Sequence, residues 1–278
     1  MADILPQPTA RFLFAFAALT FSAALHAQTS DPKALEYVRG AVASQLLADK
    51  TDRSCWIYRD HDVVPGRDGH DVVTSNVGTP EGELKRTIER DGKPVSKSDE
   101  QAETDRIVHF VHDAAAQSRT HKENSHDDQQ ATALLKMLPD AFLWTIASET
   151  PELVTLNYTP NPKFEGPDYQ AKVMSTMAGQ LVVVRRGNHI KTFRGSLTED
   201  FKIFGGVFGR LYRGGTFDVE RREVAPGFWE IAETHVHIAG HVFVFHTIGE
   251  QQDEVKTDWK PSPAKTLAEA ARLLNANP

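Results

Sequence analysis

A single cysteine, Cys55, stands in a chain of 278 residues. An intrachain disulfide is therefore excluded, and burial alone must hold the fold together. Cys55 sits beside Trp56 at the start of a strand-like stretch, where it reads as a packed small hydrophobe rather than a reactive thiol. Basic residues are also short: 31 Lys and Arg face 38 Asp and Glu, for a formal net charge of −7. That balance lacks the positive footprint of a nucleic-acid-binding surface, so no nucleic-acid partner is expected. Beyond the first thirty residues no uncharged apolar run nears the roughly 20 residues that cross a bilayer. The longest apolar stretches, such as Val242 to Phe245, are strand-sized, and no stable membrane insertion is expected. Catalytic signatures are absent too: there is no HExxH, no GxSxG elbow, no Walker A and no calcium loop. Gly205 to Gly209 is glycine-rich but lacks the spacing and strand–helix context of a dinucleotide loop. The sequence names no reaction and calls for no cofactor.

What is present begins at the N-terminus. Arg11 precedes an apolar run from Phe12 to Leu25, and Leu25-His26-Ala27 offers a cleavage site with a small residue at its end. A run of that length is too short to span and fits the core of a signal peptide. The expectation is export, with residues 1–27 as signal peptide and 28–278 as one domain of an exported, periplasmic or secreted protein. No cysteine follows the cleavage site before Cys55, so lipidation of a mature N-terminal cysteine is not expected.

Ser30-Asp31-Pro32 is a helix start, and Leu35, Val38, Val42 and Leu46 fall on one face of a helix ending near Lys50. Strands follow from Cys55 to Val95, with turns at Pro65-Gly66 and Gly78 to Gly82. Alternation at Leu84, Arg86 and Ile88 marks a half-buried strand. A helix is expected from Ser98 to about Arg119. A polar, mobile tract is expected over Thr120–Gln130, and a third helix from Ala131 that stops at Pro139. From Phe142 onward the chain reads mostly as strands, up to His241–Ile248. A short helix is expected at Asp168–Met177, ended by Gly179, and an amphipathic helix at Ala264–Leu274. There is no regular βαβ alternation, which argues against a doubly wound parallel fold. The fold class expected is α+β, mostly antiparallel.

Two turn patterns carry a resemblance. Glu89-Arg-Asp-Gly-Lys-Pro-Val95-Ser96, followed by Glu100 and a helix, resembles a "dGkPLs" turn. Met177-Ala-Gly-Gln-Leu-Val-Val183 is similar to an "l-x-G-x-l-w-i-d" step from helix into strand. Both patterns, and the order of elements, resemble a group of uncharacterised exported bacterial proteins of lipoprotein-carrier type, the LolA/LolB-like fold. That resemblance implies a strongly curved, incomplete β-barrel wrapping a few helices around an apolar cavity. It also implies a lipid or a lipoprotein acyl chain as partner. A closed, lipocalin-like barrel is the competing architecture. Phe142, Trp144, Phe204, Phe208, Phe243 and Phe245 are candidates for a cavity lining, although ordinary core is the commoner fate of such aromatics.

A second class of function rests on histidines. His235 and His237 are two apart, so on a strand both face one way and would present two imidazoles to one metal ion, with His241 a third candidate. Val236 and Ile238 would then face the core. On that reading the chain is a metal-binding protein or metal-dependent hydrolase. His109 and His112, one helical turn apart, fall on a solvated face, and His121 and His126 fall in the polar tract. A structural or interaction module of the cell envelope is the third reading, and the oligomeric state is not encoded in any recognisable pattern.

Overall fold

The computed structural model describes residues 29–66, 69–203, 209–242 and 250–276. The expected signal peptide, residues 1–27, lies outside the described residues. Helix α1 (Pro32–Thr51) starts where the sequence predicts. The Asp31 carboxylate accepts from the backbone N–H groups of Lys33 and Ala34, and Pro32 takes the first turn, where a missing N–H costs nothing.

Strands β1 (Trp56–Val64), β2 (His70–Thr79), β3 (Gly82–Arg90) and the two-residue β4 (Lys93–Pro94) form an antiparallel meander. Helix α2 (Lys97–His112) is capped by Ser96, which accepts from Asp99 N–H. Helix α3 (Ala114–Ala141) then runs for 28 residues. Here the structure corrects the sequence reading three times. The break falls at Asp113, whose side chain accepts from Ala115 and Ala116 N–H and restarts the helix. The polar tract 120–130 is helical throughout. Only Lys122, Glu123, Gln129 and Gln130 are good helix formers in this stretch, and side-chain links such as Gln130 to His126 bridge its turns. Pro139 stands inside the last turn instead of ending the helix.

Strands β5 (Phe142–Glu149) and β6 (Leu153–Pro160), helix α4 (Tyr169–Met174), and strands β7 (Met177–Val184) and β8 (His189–Leu197) follow. Gly179 lies inside β7 and does not end a helix. A Cβ there would come within 2.0 Å of the Arg194 carbonyl on the paired strand, so the site selects glycine for close backbone approach. The remaining elements are β9 (Phe201–Ile203), β10 (Gly209–Leu211), β11 (Thr216–Ala225), β12 (Phe228–Ile238), β13 (Gly240–Val242), β14 (Glu250–Pro261) and α5 (Leu267–Ala276).

Eleven strands form one curved antiparallel sheet in the order β4-β3-β2-β1-β14-β12-β11-β8-β7-β6-β5, and β13-β10-β9 form a smaller one. The large sheet ends in β4 and β5, which do not pair, so it does not close into a barrel. The protein is thus α+β with mostly antiparallel strands. Strand β14 has no apolar alternation, yet it joins β1 to β12 in the middle of the sheet.

Two cores lie on opposite faces of this sheet. Helices α1 and α3 pack with Trp144, Tyr158, Leu181 and Leu197 on one face. Helices α2 and α5 pack with Ile57, Val77 and Leu84 on the other. The ladder shows the opposition. Ile57 shares a face of β1 with Val63, and Val63 is paired with Asp253, which is paired with His235. The neighbouring Ile238 of β12, of opposite parity, packs into the first core.

Candidate functional site

The first candidate is a cleft of 570 Å³ between α1 and α3 and the sheet. Leu135 and Leu138 of α3 face Ile190 and Phe193 of β8, Val219 of β11 and Ile231 of β12 across it, while Gln45, Asp49, Asp128 and Thr132 form its polar margin. The sheet side of the lining is mostly apolar because the strands present one face of each alternation to the helices. Arg221 belongs to the same lining. Its Nη2 donates to the Trp229 carbonyl at 2.5 Å, but its Nε is buried without a partner. Burial pulls its pKa below the usual guanidinium value, opposed by the charges of Glu230 and Asp49.

The aromatic candidates divide. Phe142 and Trp144 are fully buried, in edge-to-face contact at 5.8 Å and both packed on Tyr158. Trp144 Nε1 donates to the Leu138 carbonyl at 3.0 Å. Both are core side chains beneath α3, and neither borders the cleft. Phe204, Phe208, Phe243 and Phe245 lie outside the described residues. Sequence reasoning passed over the residues that do line the cleft. Leu135, Ile190, Phe193 and Val219 come from three elements and carry no common spacing.

The second candidate lies on the opposite face. His235 and His237 border an open groove of 490 Å³ with Gln180, Arg194, Ser196, Thr216 and Asp218. The register sets Gln180, Arg194, Asp218, His235 and Asp253 in one row across five strands. Asp253 takes both imidazoles: its Oδ1 lies 2.6 Å from His235 Nδ1 and its Oδ2 lies 3.1 Å from His237 Nε2. Glu233 holds the other nitrogen of His235 at 3.3 Å and is itself paired with Arg222. The bonds from the two histidines keep Asp253 below the usual carboxylate value, and the bond to Asp253 raises His235. His241 falls elsewhere. It stands on β13 in the smaller sheet, paired with Arg210.

No protein-family model, no curated protein and no solved structure matches this chain. The functional reading therefore rests on the geometry of the molecule itself.

A third group sits on the first-core face of β1 and β14, away from α1 and α3. Asp60 is pushed up to about 7, first by burial and next by the charge of Glu254. One of its oxygens is buried without a partner. Tyr58, stacked on Trp259 at 4.4 Å, donates to Glu83 at 2.9 Å. His109, His112, His121 and His126 are all exposed on helices α2 and α3. Among the described residues, no helix is long and apolar enough to cross a membrane.

Proposed function

We propose that this protein is an exported, periplasmic carrier that binds an apolar ligand, a lipid or lipoprotein acyl chain, in the cleft between α1, α3 and the sheet. The observation that carries the reading is the cleft itself. It measures 570 Å³ and is walled by Leu135, Leu138, Ile190, Phe193, Val219 and Ile231, with polar groups at its margin. A volume of that order suits a small-molecule site, which generally occupies about 300–1,000 Å³. Each methylene withdrawn from water contributes about 0.8 kcal/mol, so a short stretch of acyl chain supplies useful affinity after the cost of ordering it. The turn patterns resemble those of the lipoprotein-carrier type, and a chain with a cleavable leader would meet such ligands outside the cytoplasm.

The test is mass spectrometry of lipids extracted from the protein purified from the periplasm of an expressing bacterium. The expected result is a stoichiometric acyl lipid that is lost when Leu135 is changed to Trp to fill the cleft. Protein that carries no lipid in either form, and takes none up from vesicles, would overturn the reading.

A further inference from the structure

Among the described residues no group of three or more His, Cys, Asp or Glu side chains could hold a metal ion, and the histidines and carboxylates of the His235 cluster already satisfy one another. Unspent chemistry lies in the cleft, at Arg221.

Val219 and Arg221 stand two apart on β11 and both line the cleft. Val219 is paired with Phe193 of β8 and Arg221 with Ile231 of β12, so a guanidinium interrupts a wall of apolar side chains. A guanidinium carries five N–H donors. Arg221 gives Nη2 to the Trp229 carbonyl, but its Nε is buried with no acceptor, and no acceptor among the described residues meets its Nη1. A buried donor left unmet costs free energy that an arriving acceptor returns.

The surroundings decide the charge of that acceptor. The carboxylates whose charge reaches Arg221 are Glu230 and Asp49. Both are bonded elsewhere: Glu230 accepts from Trp56 Nε1 at 3.0 Å, and Asp49 accepts from Gln45 Nε2 at 2.6 Å. The charge of the guanidinium is thus offset from a distance, while its hydrogen bonds are not made. Asp128 adds another negative charge to the margin of the cleft. An anionic head group is opposed by these carboxylates, whereas an uncharged oxygen meets the donor without that repulsion. Along α3 the lining passes from Asp128 and Thr132 to Leu135 and Leu138, which suits a ligand with one polar group and one chain.

We propose that Arg221 sets the specificity of the cleft, a step that rests on the reading of the cleft as an acyl-chain site. Its unspent N–H groups donate to the carbonyl oxygen of an acyl ester, and the cleft takes esterified chains in preference to free fatty acids.

The test is equilibrium titration of the delipidated protein with three fluorescent ligands of equal chain length: a methyl ester, the free acid, and an ether that lacks the carbonyl. The titrations are made at about pH 8, where the free acid is ionised. The ester should bind about tenfold more tightly than the ether, as expected for a hydrogen bond to a charged donor, and more tightly than the acid. Arg221→Met should bring ester and ether to equal affinity. The wild-type series decides the matter even where that variant does not fold. Equal binding of ester and ether by the wild type would overturn the proposal, as would tighter binding of the acid than of the ester, or an ester preference that survives Arg221→Met. Equal binding of ester and ether that is lost in Leu135→Trp overturns this proposal alone and leaves the acyl-chain reading standing. Binding of none of the three overturns both.

Discussion

Tyr158 and Gly195 share one space on the face of the sheet that α1 and α3 cover. The Tyr158 hydroxyl donates to the Arg194 carbonyl at 3.1 Å, and a Cβ added to Gly195 would lie 2.0 Å from that hydroxyl oxygen. Gly195 is also paired with Gly179, so two glycines on adjacent strands make room for one ring. The ring closes the core between Phe142, Trp144 and Phe193.

Gly195→Ala should therefore destabilise by roughly 2–3 kcal/mol through overpacking. Tyr158→Phe should cost about 1 kcal/mol through the lost hydrogen bond. The double variant should be more stable than the sum of the two predicts, because removing the hydroxyl frees the space the new methyl needs. Urea unfolding of the four proteins measures this coupling. Strict additivity would show that the two groups do not compete.

Arg86 is 2% exposed and has no carboxylate partner among the described ion pairs. It donates instead to Thr104 Oγ1, Asn275 Oδ1 and the Glu100 carbonyl, tying β3 to α2 and α5. Arg86→Met should destabilise by roughly 2–4 kcal/mol, because three acceptors lose their donor in a buried place. Hydrogen exchange should show α5 as the first segment to lose protection. A variant as stable as the wild type would mean that water replaces those bonds.

Asp60 gives the chain a pH dependence of definite sign. Its folded-state pKa, about 7, lies above the usual value of 3.8, so the folded state holds this proton more tightly than the unfolded one. That contribution is complete below about pH 4 and is lost as pH rises toward and through 7. Asp60→Asn has no such proton to lose. Relative to the wild type it should gain thermal stability between pH 5 and pH 8. A constant difference across that range would contradict the assignment.

Much of the architecture was legible in the sequence where local chemistry decides. The start of α1 at Asp31-Pro32, the turn before β3 and the alternation of Leu84 and Arg86 all follow from nearest neighbours. What was not legible depends on partners far along the chain. Strand β14 has hardly any apolar alternation, and only its pairing with β1 and β12 makes it a central strand. Asp253 was missed as a neighbour of His235 for the same reason, and the register that joins them has no short-range signal. Gly179 read as a helix stop because its packing against the Arg194 carbonyl is invisible from its own segment. Phe142 and Trp144 were legible as large apolar side chains, but only the path of α3 decides that they fill the core and that Leu135 and Phe193 face the cleft.

The central claim is that the cleft beneath α1 and α3 holds an apolar chain. It is tested most directly by equilibrium titration of the delipidated protein with a fluorescent fatty acid, comparing the wild type with Leu135→Trp and with Val108→Trp on the exposed face of α2. The account predicts saturable binding by the wild type and by Val108→Trp, and a loss of at least about tenfold in affinity when the cleft is filled, equivalent to about 1.4 kcal/mol. Equal binding by all three proteins, or none by the wild type, would contradict it.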